Sequence, residues 1–231
     1  MRGKLVAILL GALLLLPSTS GAFWTENLYA WFDTGYAGAT GNVFLGGVDK
    51  GNVYWGAMKM FSDPDATYRI DDFYCVDILS YHADGWRTWT VYGTFESPIP
   101  PLDAQGYASE FGLRWASQLY NTYAAGFYAT DYTSFKSERA ALQLAIWEAL
   151  YDGGPGYAFD FQNGDFWVNT GTNAGIQTMA AGYLDTTGQG VGAYYHDGQD
   201  LLGHTPEPAT LILTALGLLG GGLASRRRRK S

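Results

Sequence analysis

The stretch SFKSERAALQLAIWEALYDGG, Ser134 to Gly154, decides how the chain is built. Leu142, Ile146 and Leu150 recur every fourth residue and form one apolar ridge, with Ala145 and Ala149 beside it. Thr133 or Ser134 is placed to cap the start, Glu138 sits in the early turns, and Gly153, Gly154 and Pro155 stop the run. Gln143 and Trp147 stand one turn apart on the adjoining flank, while Glu148 falls on the far side from Gln143 and reads as solvated. This is a helix, and the sequence around it is of another kind.

Upstream, Phe23 to Phe95 is patterned for strands. NVFLGGV, NVYWGAMKMF, TYRIDDFYCVDILSY and WRTWTVYGTF are rich in β-branched and aromatic residues. DPDAT at 63–67 and HADG at 82–85 read as turns. After ESPIPP the period changes: LDAQGYASEFGLRWASQLYNTYAAGF and, later, NAGIQTMAAGYL repeat apolar residues at helical spacing. The expected fold class is α+β, an antiparallel β-sheet or barrel half followed by a helical subdomain. Gly-rich polar sequence then leads to the C-terminus.

Both ends are apolar, with opposite charge placement. Residues 1–22 have Arg2 and Lys4, an apolar run from Leu5 to Leu16, and a Ser20-x-Ala22 ending, the pattern of a secretory signal peptide. At the other end, residues 201–231 hold Pro206-Glu207-Pro208, an apolar run from Ala209 to Ala224, and Arg226 to Lys230. That run is short for a permanent transmembrane segment, and the basic block behind it holds the terminus in the cytoplasm. Residues 23–200 remain as one domain, large enough to bury its own core.

Of the 14 Lys and Arg, two lie in the leader and five at the C-terminal end, leaving seven in residues 23–207 against all 22 acidic residues, a net charge of −15. Such a field argues against nucleic acid and anionic lipid as partners and leans toward basic or amine-bearing ones. DFQNGDFW at 160–167 and DPDAT carry oxygen ligands at short spacing, but neither completes a calcium loop. No metal or cofactor is expected. Phosphate-binding loops, paired glycosidase carboxylates and a serine nucleophile elbow are not found either.

The chain has a single cysteine, Cys75, in FYCVDILSY (Phe73–Tyr81), which reads as a buried strand. One reading is a buried structural thiol. An internal disulfide is impossible with one cysteine, and the apolar flanks argue against one between chains. A Cys-His hydrolase needs a histidine, but His82 falls on the opposite face of a regular strand, short of a bend at Ser80 or Tyr81. His196 and His204 lie in Gly-rich or terminal sequence, and one thiol with scattered histidines makes no zinc spacing.

Two resemblances bear on these features. TPEPATL, the short span and the terminal Arg cluster resemble the PEP-CTERM sorting tail of Gram-negative bacteria. That likeness implies an exosortase-type processing protease, transient membrane anchorage, and release to the cell surface or extracellular matrix. YCVD (Tyr74–Asp77) with LQLAIWEAL (Leu142–Leu150) resembles the two motifs of bacterial surface thioester domains. The likeness implies an internal thioester between Cys75 and Gln143, consumed once in covalent adhesion to a protein lysine or aminated polymer, and so not an enzyme. Phe73 and Trp147 are candidate water shields. Asp77, on the same strand face as Cys75, is a candidate for orienting or deprotonating the incoming amine. The rival expectation is a non-covalent structural protein of a matrix or biofilm with a buried free thiol. A cysteine hydrolase acting on matrix polymer is a third.

Overall fold

The computed structural model describes residues 26–61, 69–78, 85–93, 108–128, 135–154, 159–169, 173–185, 193–196 and 201–203. Strand β1 (Glu26–Leu45) turns into β2 (Val48–Phe61) through Gly46 and Gly47, with φ of 58° and 76°. Two successive left-handed residues are what a two-residue hairpin of the primed type requires, and glycine takes that conformation without a Cβ clash. Strands β3 (Arg69–Cys75), β4 (Gly85–Gly93), β5 (Phe166–Val168), β6 (Ala193–His196) and β7 (Leu201–Gly203) complete an antiparallel sheet in the order β2-β3-β7-β6-β4-β1-β5.

β1 also pairs with β2, so the sheet curls until its ladder returns on itself. One long strand can serve three neighbours because its parts pair differently. Glu26–Phe32 pairs with β4, Val43–Leu45 with β5, and Trp31–Leu45 with β2. Register shifts between Asp33 and Ala37 and between Asn42 and Phe44 bend it at the changeovers.

Three helices are described. Helix α1 (Glu110–Tyr128) is capped by Ser109, whose Oγ accepts the Gly112 N–H at 2.9 Å. Helix α2 (Lys136–Asp152) packs against β1, β2, β3, β5, α1 and α3 (Ala174–Leu184). Every residue of α2 from Arg139 to Asp152 is buried. A helix enclosed on all sides must pair each polar group it carries, so its polar side chains become ties to its neighbours.

The antiparallel sheet with helices agrees with the expected α+β class, and α2 and α3 lie where the helical spacing put them. Several expectations need correction. The sheet is not confined to the first half: β5, β6 and β7 come from DFWVNT and the Gly-rich region, segments too short for a period to register. Helix α1 starts at Glu110, later than the run from Leu102. Phe135, at φ 57° and ψ 33°, occupies the N-cap of α2 with no side-chain cap bond, in place of Thr133 or Ser134. Those two residues, the turns at 63–67 and 82–84, and Pro155 lie outside the described residues. FYCVDILSY is not one strand: β3 ends at Cys75 and the chain bends at Val76.

Candidate functional site

Cys75 is the last residue of β3, where the strand passes the middle of α2. On one side β3 pairs with β7, Cys75 opposite Leu201. On the other, pairing with β2 runs from Phe61–Arg69 to Met58–Phe73, two residues short of Cys75. There the carboxamide of Gln143 takes up the strand. The Cys75 N–H donates to Gln143 Oε1 at 2.9 Å, and Gln143 Nε2 donates to the Cys75 carbonyl at 2.8 Å. A primary amide presents a donor and an acceptor at the spacing of a peptide group, so it can pair with a strand as another strand would. Gln143 is fully buried, and Cys75, which forms no disulfide, is only 6% exposed.

Beyond Cys75 the bend brings the Asp77 carbonyl back to the thiol, which donates to it from Sγ at 3.0 Å. Asp77 therefore meets the cysteine through its main chain, because the strand does not continue far enough to alternate faces. The bend also removes the strand-parity argument that kept His82 from Cys75, and His82 lies outside the described residues. The Tyr151 hydroxyl fixes the same bend: it donates to the Val76 carbonyl at 3.1 Å and accepts the Ile78 N–H at 3.3 Å.

Phe73 is fully buried on β3, two residues before Cys75 and on the same strand face. Trp147 is buried one turn beyond Gln143, its ring 5.9 Å from that of Phe166. One turn before Gln143, Arg139 donates to Asp72 Oδ2 from Nε at 3.4 Å and from Nη2 at 3.3 Å, and from Nη2 to the Phe127 carbonyl at 2.7 Å. Both members of this ion pair are buried. Arg139, Gln143, Trp147 and Tyr151 thus form a stripe at four-residue spacing, three of them tied to β3 or its exit. The sequence reading used only the middle two, although the spacing was available for all four.

Glu148 corrects the sequence reading outright. It is fully buried, because α2 has no solvent side. Its Oε1 accepts the Asp160 N–H at 2.8 Å, and its Oε2 is buried without a hydrogen-bond partner among the described residues. Burial pushes its carboxyl up to about 8, against the lowering effect of the Asp160 N–H, with the carboxylates of Asp152 and Asp160 raising it further. Asp152, one turn on, accepts the N–H groups of Asp165 at 2.7 Å and Phe166 at 3.0 Å, and burial raises it as well. The pair moors the 160–166 turn to the end of α2. Within that turn Asp160 accepts from Gln162 N–H and Asn163 Nδ2, which is turn chemistry, and no metal-holding group of three or more His, Cys, Asp or Glu occurs among the described residues.

The C-terminal segment matches a family model over residues 204–229. It is a PEP-CTERM protein-sorting motif. The PEP-CTERM tail, Pro206, Glu207 and Pro208 included, marks an exported protein processed by an exosortase and anchored through its tail in the membrane. The motif and the apolar run behind it lie outside the described residues, as do residues 1–22. Among the described residues no helix is long and apolar enough to cross a membrane. No curated protein and no solved structure matches the chain.

Proposed function

We propose that Cys75 and Gln143 form an internal thioester through which this exported protein bonds covalently to amine-bearing targets. The observation that carries the reading is the double hydrogen bond between the Gln143 carboxamide and the backbone of Cys75. It fixes an otherwise inert amide beside the only thiol in the chain. A thiol does not usefully attack a carboxamide in water, but groups held in near-attack geometry reach effective molarities of about 10⁵ to 10⁸ M.

The Cys75 N–H already donates to Oε1, where negative charge builds when a nucleophile adds to the carbonyl carbon. In the forming step Sγ bonds to the Gln143 side-chain carbonyl carbon and the C–N bond breaks. The thiol proton leaves with the amide nitrogen as ammonia. In the capture step an amine nitrogen bonds to the same carbon, the C–S bond breaks, and the amine proton returns to sulfur. The product is an amide link to the target and a free Cys75 thiol. Each molecule acts once, so the protein is consumed as a reagent and is no enzyme. Burial of Phe73, Gln143 and Trp147 favours survival of the acyl bond by excluding water.

The site is thioester-domain-like in this reading, and the export tail directs it to the cell surface or extracellular matrix, where a protein lysine or an aminated polymer is the target. The test is the intact mass of the full-length chain, purified in mild detergent without amines, beside Cys75→Ala and Gln143→Ala. A deficit of about 17 Da, one ammonia, is expected in the parent and in neither variant, with methylamine adding to the parent alone. The same two hydrogen bonds also suit a purely non-covalent clamp between strand and helix. Full mass, a thiol that titrates on unfolding and no methylamine adduct would assign that role and leave a matrix protein with a buried cysteine.

A further inference from the structure

We propose that Tyr151 is a positioning residue for the Cys75 thiol, an inference that rests on the thioester reading. Cys75 ends β3, so its side chain is followed by a bend with no strand pairing to hold it. One phenol closes that bend. The Tyr151 hydroxyl bridges the Val76 carbonyl at 3.1 Å and the Ile78 N–H at 3.3 Å, and the residue between them, Asp77, supplies the carbonyl that accepts the thiol at 3.0 Å.

A cysteine side chain has three staggered rotamers, and the bond to Asp77 selects one. Tyr151 is itself immobilised, 5% exposed on the enclosed helix with its ring stacked on Phe166 at 6.3 Å. It stands eight residues from Gln143 on α2, so a single rigid helix aims the carboxamide at the Cys75 backbone and, two turns on, fixes the bend that orients the sulfur. Nucleophile and acyl group are set from one element, which is how a short bend can hold reactive geometry.

Tyr151→Phe removes one oxygen and keeps the ring. Tyr120→Phe is the control, because the Tyr120 hydroxyl makes a similar buried bond to the same strand, donating to the Asp72 carbonyl at 2.9 Å, three residues before Cys75. The full-length chain, recovered unfolded from inclusion bodies and refolded into detergent, is followed by intact mass for loss of ammonia, and thermal melts report folding. Tyr151→Phe should lose ammonia about 10- to 100-fold more slowly than the parent, with Tyr120→Phe within about twofold of it. Parental rates in Tyr151→Phe, or equal slowing in Tyr120→Phe, would overturn the positioning role while the thioester stands. A parent that keeps its ammonia overturns the thioester reading, and this inference with it.

Discussion

At the scale of the residue, Glu148 shows how much enclosure alone can do. A carboxyl that ordinarily ionises near 4.5 is held to about 8, so the folded protein keeps a proton there at neutral pH that the unfolded chain releases. Between those values the native state binds more protons, and stability falls as pH rises through the window, levelling off above about 8. Glu148→Gln keeps the acceptor for the Asp160 N–H and removes the titration. It should be more stable than the parent at pH 8.5 by on the order of a few kcal/mol, with the difference shrinking toward pH 5, as measured by urea unfolding at both values. Equal pH profiles in the two proteins would refute the assignment. The sequence could not place this group: helical geometry put Glu148 opposite Gln143, but only the number of elements around α2 decides whether the far side is water. Cys75 stood out as the single cysteine, and Gln143 only through the likeness of LQLAIWEAL to a known motif; their hydrogen-bonded pairing belongs to the fold. Tyr151 did not stand out, since nothing local distinguishes a core tyrosine from one that bridges a bend.

Among the elements, α2 is where the molecule is most sensitive, and its crossings can be tested without touching the cysteine. Gly112 of α1 lies directly against the backbone carbonyls of Ala149 and Leu150, where an added Cβ would collide. Gly112→Ala should therefore cost about 1–3 kcal/mol or more, visible as a lower thermal midpoint, despite alanine's better helix propensity. The buried Asp72–Arg139 pair makes a second test. Asp72→Asn or Arg139→Met alone strands a buried partner and should destabilise by about 3–5 kcal/mol, whereas the double variant should recover much of that loss. Denaturant melts of all three that summed independently would show that the pair is not coupled. The strands in the first half were readable from their aromatic and β-branched runs. The short β5, β6 and β7 were not, because three or four residues carry too little pattern and owe their conformation to the partners already in the sheet.

For the whole molecule, the proposed acyl bond would join sheet to central helix across 68 residues of chain. Closing a loop of that length restricts the unfolded state by about 4 kcal/mol in the chain-entropy model. Methylamine, which opens the bond and leaves Gln143 as its N-methyl amide and Cys75 as the thiol, should lower the thermal midpoint of the parent and leave Cys75→Ala unmoved in differential scanning calorimetry. Identical melts with and without the amine would argue against a crosslink. The C-terminal tail was the part of the sequence most readily interpreted in functional terms, because a sorting signal is a linear pattern that needs no fold. The sheet, by contrast, reaches to Gly203, immediately before the sorting motif begins at residue 204. Its last strand, β7, lies beside β3 with Leu201 opposite Cys75. Mechanical load entering through a membrane-held tail would therefore reach the cysteine strand after crossing a single ladder, so tension would arrive at Cys75, one member of the proposed acyl bond.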